Sequence, residues 1–120
     1  MPINIHNFGG EKGYGLVTDT DIISWQTLFV ANMISVTDEE IPPYYYPNTI
    51  IDYKKKQYID INYDSAANRP LWTYFNSIKP KSRANVWARQ IAVNGTLTRI
   101  EFYTCKHILA GSELLLPYNY

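Results

Sequence analysis

Asn94-Gly95 is the feature that most restricts what this chain can become. Asn-Gly between two β-rich runs marks a two-residue hairpin, because both residues accept the positive φ that such a turn requires. Here the runs are Asn85 to Val93 and Leu97 to Cys105. They predict two antiparallel strands and a fold that must supply a sheet around them. Other short β segments are predicted at residues 2–8, Thr49 to Tyr53 and Gln57 to Tyr63. Thr27 to Val36 (TLFVANMISV) is apolar with few breaks and predicts a buried strand. Between them lie a glycine-dense loop at 9–15, an acidic loop ending in Pro42-Pro43, the lysine triplet Lys54 to Lys56 and a basic loop at 79–83. Arg69-Pro70 opens a single helical turn over Leu71 to Phe75.

The expectation is therefore a mostly β protein of many short strands with one or two helical turns, a single domain over residues 1–120. Eleven tyrosines, an aromatic content of 15% and a hydrophobic content of 46% support a folded β-rich chain. The formal net charge is zero but unevenly spread. Residues 1–64 hold 4 basic and 9 acidic residues; residues 65–120 hold 7 basic and 2 acidic ones. Either the two halves attract each other in the fold, or an acidic surface attracts a basic peptide. No broad basic face is evident, which disfavours direct nucleic-acid binding. Cys105 stands alone, so an internal disulfide and a four-cysteine zinc site are both excluded. His6 and His107 lack ligand-like spacing, and no metal is expected. No apolar run is long enough to span a membrane, and no signal peptide is apparent, so an intracellular protein is expected.

Three segments could carry chemistry. Gly13-Tyr14-Gly15-Leu16-Val17 could bring backbone close to a ligand, although it lacks the spacing of a dinucleotide fingerprint. Tyr74-Phe75-Asn76-Ser77, followed by Asn85-Val86, reads by itself as asparagines capping turns. Gly111-Ser112-Glu113-Leu114-Leu115-Leu116-Pro117-Tyr118 reads as a tight turn, core leucines and a tyrosine.

In this order, and over nearly the whole chain, the three segments resemble SET-domain protein-lysine methyltransferases. That resemblance implies a β fold of short sheets with a C-terminal pseudoknot, and transfer of methyl groups from S-adenosylmethionine (AdoMet) to a protein lysine. It implies cofactor contacts from Lys12, Gly13, Tyr14, Gly15, Asn76 and Ser77, where Ser77 replaces the usual histidine. Arg83-Ala84-Asn85-Val86 looks like the PR-type variant of the second motif. Tyr118 matches the catalytic tyrosine, Tyr103 is the second catalytic candidate, and Leu116, Tyr58 and Tyr74 are candidates for the substrate channel. The Tyr44-Tyr45-Tyr46 run offers further walls. Pro117 stands where Asp is common, and Leu116 stands where an aromatic ring often limits the methylation state. The chain carries no cysteine-rich post-SET segment, leaving the channel to be closed by Asn119-Tyr120, by a second subunit in a homodimer, or by nothing. The implied partner is a basic peptide such as a histone tail. The alternative is a PR-like module that keeps the fold and binds proteins without methylating them.

Overall fold

The computed structural model describes residues 2–41, 50–53 and 56–118. Tyr44 to Tyr46, Lys54-Lys55 and Asn119-Tyr120 lie outside the described residues. Among the described residues nine strands build three sheets: β1 (Ile3–Asn7), β2 (Tyr14–Thr18), β3 (Thr27–Val36), β4 (Ile50–Tyr53), β5 (Lys56–Asp60), β6 (Asn76–Ile78), β7 (Val86–Val93), β8 (Thr96–Thr104) and β9 (Leu115–Pro117). The largest sheet has the order β4-β5-β3-β8-β7, and β1-β2 and β6-β9 form two-stranded ribbons. Among the described residues helix is confined to single 3-10 turns, including Leu71–Tyr74 after Pro70.

The hairpin forms where Asn94-Gly95 requires it. Val93 pairs with Thr96, and the turn residues take φ 53 and φ 77. Along β8, Ile100, Phe102 and Thr104 face the core while Arg99, Glu101 and Tyr103 face outward. β3 differs from the expectation of full burial. Leu28, Ala31 and Met33 are buried, but Val30 and Ile34 are exposed. An antiparallel sheet can leave one face in water, and this one does. A register shift between Thr27 and Phe29 accounts for the break in alternation.

The covered face packs Leu16, Tyr58, Val86, Leu97, Ile100, Phe102, Leu114 and Leu116 into one cluster. Trp72 stacks on Phe102 with centroids 5.5 Å apart. Its indole N–H donates to the buried carboxylate of Asp60 at 2.9 Å, which also accepts from the Asn62 backbone N–H. Two donors make that buried carboxylate tolerable.

β9 closes the fold by threading. It lies parallel to β6, with Asn76 opposite Leu115 and Ile78 opposite Pro117. On its other side Asn85 grips it through three hydrogen bonds: Asn85 N–H to Leu115 O, Asn85 Nδ2 to Glu113 O, and Leu115 N–H to Asn85 Oδ1. The segment from Glu113 to Pro117 thus runs between two parts of the chain that are joined by the 79–84 loop. This is the pseudoknot.

Candidate active site

The threaded segment brings the three chemistry-bearing motifs together at Glu113. The Glu113 side chain is only 12% exposed. One carboxylate oxygen meets Lys12 Nζ at 2.6 Å. The other accepts from Asn76 Nδ2 at 2.7 Å. Asn76 Nδ2 also donates to the carbonyl of Tyr14 at 3.1 Å. Lys12 stands over the Phe8 ring at 4.3 Å, which completes its surroundings.

Gly15 sits directly beneath this junction. A Cβ there would lie 2.6 Å from both Asn76 Nδ2 and Glu113 Oε2, and 2.8 Å from the Phe8 ring. Its glycine is required by that close approach, not by its φ. The expected glycine loop over 9–15 is loop as far as Gly13 and strand from Tyr14: Tyr14 to Thr18 pair with β1, and Leu16 O accepts from Leu114 N–H.

Beside the junction opens a cleft of about 380 Å³, lined by Glu11, Lys12, Asn76, Ser77, Ile78 and Leu115. That volume is in the range of small-molecule sites, about 300–1,000 Å³. The lining offers groups of both charge signs and a short apolar wall. Lys12 offers an ammonium, Glu11 a carboxylate, Ser77 a hydroxyl, and Ile78 and Leu115 apolar wall. Both N–H groups of Asn76 are directed inward to protein acceptors, so its Oδ1 is the atom available to a ligand.

Tyr118 follows β9 by one residue. Its backbone N–H donates to the carbonyl of Ile78, a residue of the cleft wall, at 3.0 Å. Tyr118 is 55% exposed, and Lys79 Nζ lies 5.8 Å from its ring centre. Parallel pairing causes this neighbourhood, because Lys79 and Tyr118 each follow the last pair, Ile78 and Pro117.

The other candidates are dispersed. Tyr74 lies under the Arg69 guanidinium at 4.1 Å and meets Tyr14 edge-on at 6.4 Å. Gly13 accepts from the Phe8 N–H in the loop behind the cleft. Leu116 and Tyr58 are buried in the main core, and the Tyr58 hydroxyl has no hydrogen-bond partner among the described residues. Tyr103 is on the outer face of β8 with Trp25 and Trp87. Cys105 is half-buried and donates to Ala84 O; burial pushes its thiol pKa up, so it is no ready nucleophile. No cluster of metal-ligating side chains occurs among the described residues.

Glu113 and Asn85 were not read as the organisers they are. The signal for Glu113 was its sign: it is one of only two acids after residue 64.

This arrangement, a pseudoknotted C-terminal strand beside a glycine loop and an Asn-containing strand, defines the SET-domain fold, and the chain has that fold. Solved structures agree. A Plasmodium falciparum protein named as a candidate histone methyltransferase superposes with TM-score 0.65 at 17% identity, covering 99% of this chain and 94% of that one. The methyltransferase domain of human PR domain-containing protein 2 gives 0.61 at 18%, covering 99% and 78%. A humanized mutant of Chaetomium thermophilum Polycomb Repressive Complex 2, bound to an inhibitor, gives 0.65 at 23%, covering 98% of this chain and 15% of that one. No family profile matches the sequence, and no match is found among curated proteins. No helix among the described residues is long and apolar enough to cross a membrane.

Proposed function

We propose that this chain is an AdoMet-dependent methyltransferase acting on a lysine side chain of another protein, inside the cell where that cofactor is made. The observation that carries the reading is the continuity of the cleft with Tyr118: the wall residue Ile78 is hydrogen-bonded to the tyrosine's own backbone. AdoMet, when bound, supplies a methyl group on a positively charged sulfur. Lys12, Asn76 and Ser77 would hold it, and Gly15 lets the Asn76 and Glu113 side chains close on the strand behind them.

The chain's own residues must then deliver a neutral amine. A free lysine amine has a pKa of about 10.4, so its charged form must be disfavoured at the site. The Lys79 ammonium near the Tyr118 ring is a like charge that works in that direction, as does partial desolvation. The Tyr118 hydroxyl orients the amine lone pair. No covalent intermediate on the protein is called for; alignment supplies the acceleration, and well-oriented groups can contribute about 7–11 kcal/mol. Lys79 near the acceptor end also favours a lysine whose neighbours are not densely basic, over a histone tail.

Tyr118→Phe should lose most methyl transfer to a peptide library while its melting temperature and AdoMet affinity stay those of the wild type. Undiminished turnover in that variant would remove Tyr118 from the mechanism. The second reading, a binding module without activity, is favoured by Ser77 at the histidine position and by the exposure of Tyr118. Calorimetry separates the two: the module reading expects no AdoMet binding.

A further inference from the structure

The outer face of β7 and β8 carries a second constellation, unrelated to the cleft. Trp25 stacks on Tyr103 with centroids 6.1 Å apart and planes 26° apart. Trp87 meets both rings edge-on at 6.3 Å. Trp25 is 67% exposed and sits at φ 64, a conformation that few non-glycine residues adopt. Its turn is nevertheless firmly held. Trp25 N–H and Gln26 N–H donate to the carbonyl and hydroxyl of Thr104. The Thr104 hydroxyl donates to Ile23 O, and its N–H to Gln26 O. Thr104 is fully buried. Four bonds to one buried threonine fix an indole in water in a strained conformation, an expense that folds accept chiefly where a site needs it. The Trp87 indole N–H is buried without a partner among the described residues, a vacancy that native structures seldom leave.

Cations surround these rings. Lys81 Nζ is 5.0 Å from the Trp87 ring centre, and the Arg89 guanidinium is 5.7 Å from that of Tyr103. Lys106 donates to Ser82 O, which places it beside Lys81 and Arg83. From Asn76 to Ser112 the sequence has six lysines and arginines and one acid, Glu101. Arg89 and Arg99 already share that acid. The hairpin and the 79–83 loop thus gather Lys81, Arg89 and Lys106 around these rings.

We propose that this surface binds single-stranded nucleic acid, with a base stacked on the open face of Trp25 and phosphates at Lys81, Arg83 and Arg89. Rings alone would suit any apolar partner, and cations alone any anion. A single strand brings a flat ring and an anion in every repeat. A duplex hides its ring faces within its own stack, and an acidic peptide brings charge without flat rings.

Fluorescence anisotropy with short labelled oligo(dT) and oligo(U) strands tests this, read against a duplex of equal length and a poly-glutamate competitor. Expected is single-strand binding that weakens as salt rises, because phosphate contacts release counterions. Trp25→Ala should weaken it by about tenfold or more, the scale of one lost base stack, while Trp25→Phe keeps most of the affinity. Lys81→Glu should weaken it and flatten the salt dependence. Circular dichroism checks that each variant is folded. The proposal is overturned by no binding at low salt, by equal affinity for the duplex, or by wild-type affinity in both the Trp25→Ala and Lys81→Glu variants. Displacement of the strand by poly-glutamate at equal charge would also overturn it and assign the surface to an acidic protein.

Discussion

At the scale of single residues, Glu113 and Asn76 act through one shared contact, and that coupling is measurable. Removing either leaves the other's polar group without its partner, at about 1–3 kcal/mol. Glu113→Ala and Asn76→Ala should each weaken AdoMet binding by that order in calorimetry. Lys12 adds less to this than its 2.6 Å contact suggests, because its side chain is half-exposed and screened. Residues in one network are non-additive, so the double variant should lose little more than either single one. Fully additive losses would show two independent roles. Tyr58 provides the opposite case. Its buried hydroxyl has no partner among the described residues, so Tyr58→Phe should leave the melting temperature unchanged or raise it. A lower melting temperature would mean that the hydroxyl is satisfied after all; lost turnover in a stable variant would assign Tyr58 to the acceptor channel.

At the scale of elements, what could be read in advance was what local chemistry decides. The 85–105 hairpin was legible because Asn94-Gly95 sets its own turn, and the turn over Leu71 to Tyr74 because Pro70 starts it. β2, β6 and β9 were not legible. β6 and β9 have three residues each and exist only through partners far away in sequence, so no window carries their period. The same holds for the site. Gly15, Asn76 and Tyr118 could be picked out singly by resemblance, but the junction at Glu113 depends on threading, which residue spacing does not encode. Nor does sequence tell a tyrosine in the core, such as Tyr58, from one at the cleft. Asn85 holds the threaded strand with both its amide and its backbone. Asn85→Ala removes the two side-chain bonds and should lower stability by about 1–3 kcal/mol in urea denaturation. It should also expose the bonds around Leu115 to limited proteolysis. An unchanged urea midpoint and cleavage pattern would show that β6 alone secures β9.

At the scale of the whole molecule, charge is separated within the fold. Arg89 and Arg99 share Glu101 on the open sheet face. Hydrogen bonds from Arg89 first, and then from Arg99, hold the Glu101 carboxyl below the ordinary carboxylate range. Because the folded-state pKa is the lower one, the stabilisation is complete above the ordinary carboxylate pKa and is lost as pH falls through the depressed value. Both arginines are largely exposed to solvent, so the contribution is small and salt-sensitive. The prediction is spectroscopic: in an NMR titration Glu101 should protonate at lower pH than an unpaired surface glutamate, and Arg89→Ala should move its midpoint upward. An unmoved midpoint would leave Arg99 as the cause.

The threading of β9 has a consequence for how the protein comes into being. Residues 113–118 leave the ribosome after every other wall of the cleft. Until they insert between β6 and Asn85, Asn76 has no Glu113 to hold it and Tyr118 does not adjoin the cleft. Pairings this distant in sequence close late, because the entropy of the intervening loop must be met first. A nascent or stalled chain that ends before residue 113 can therefore resemble the product over most of its β structure and still lack the junction on which its chemistry would depend.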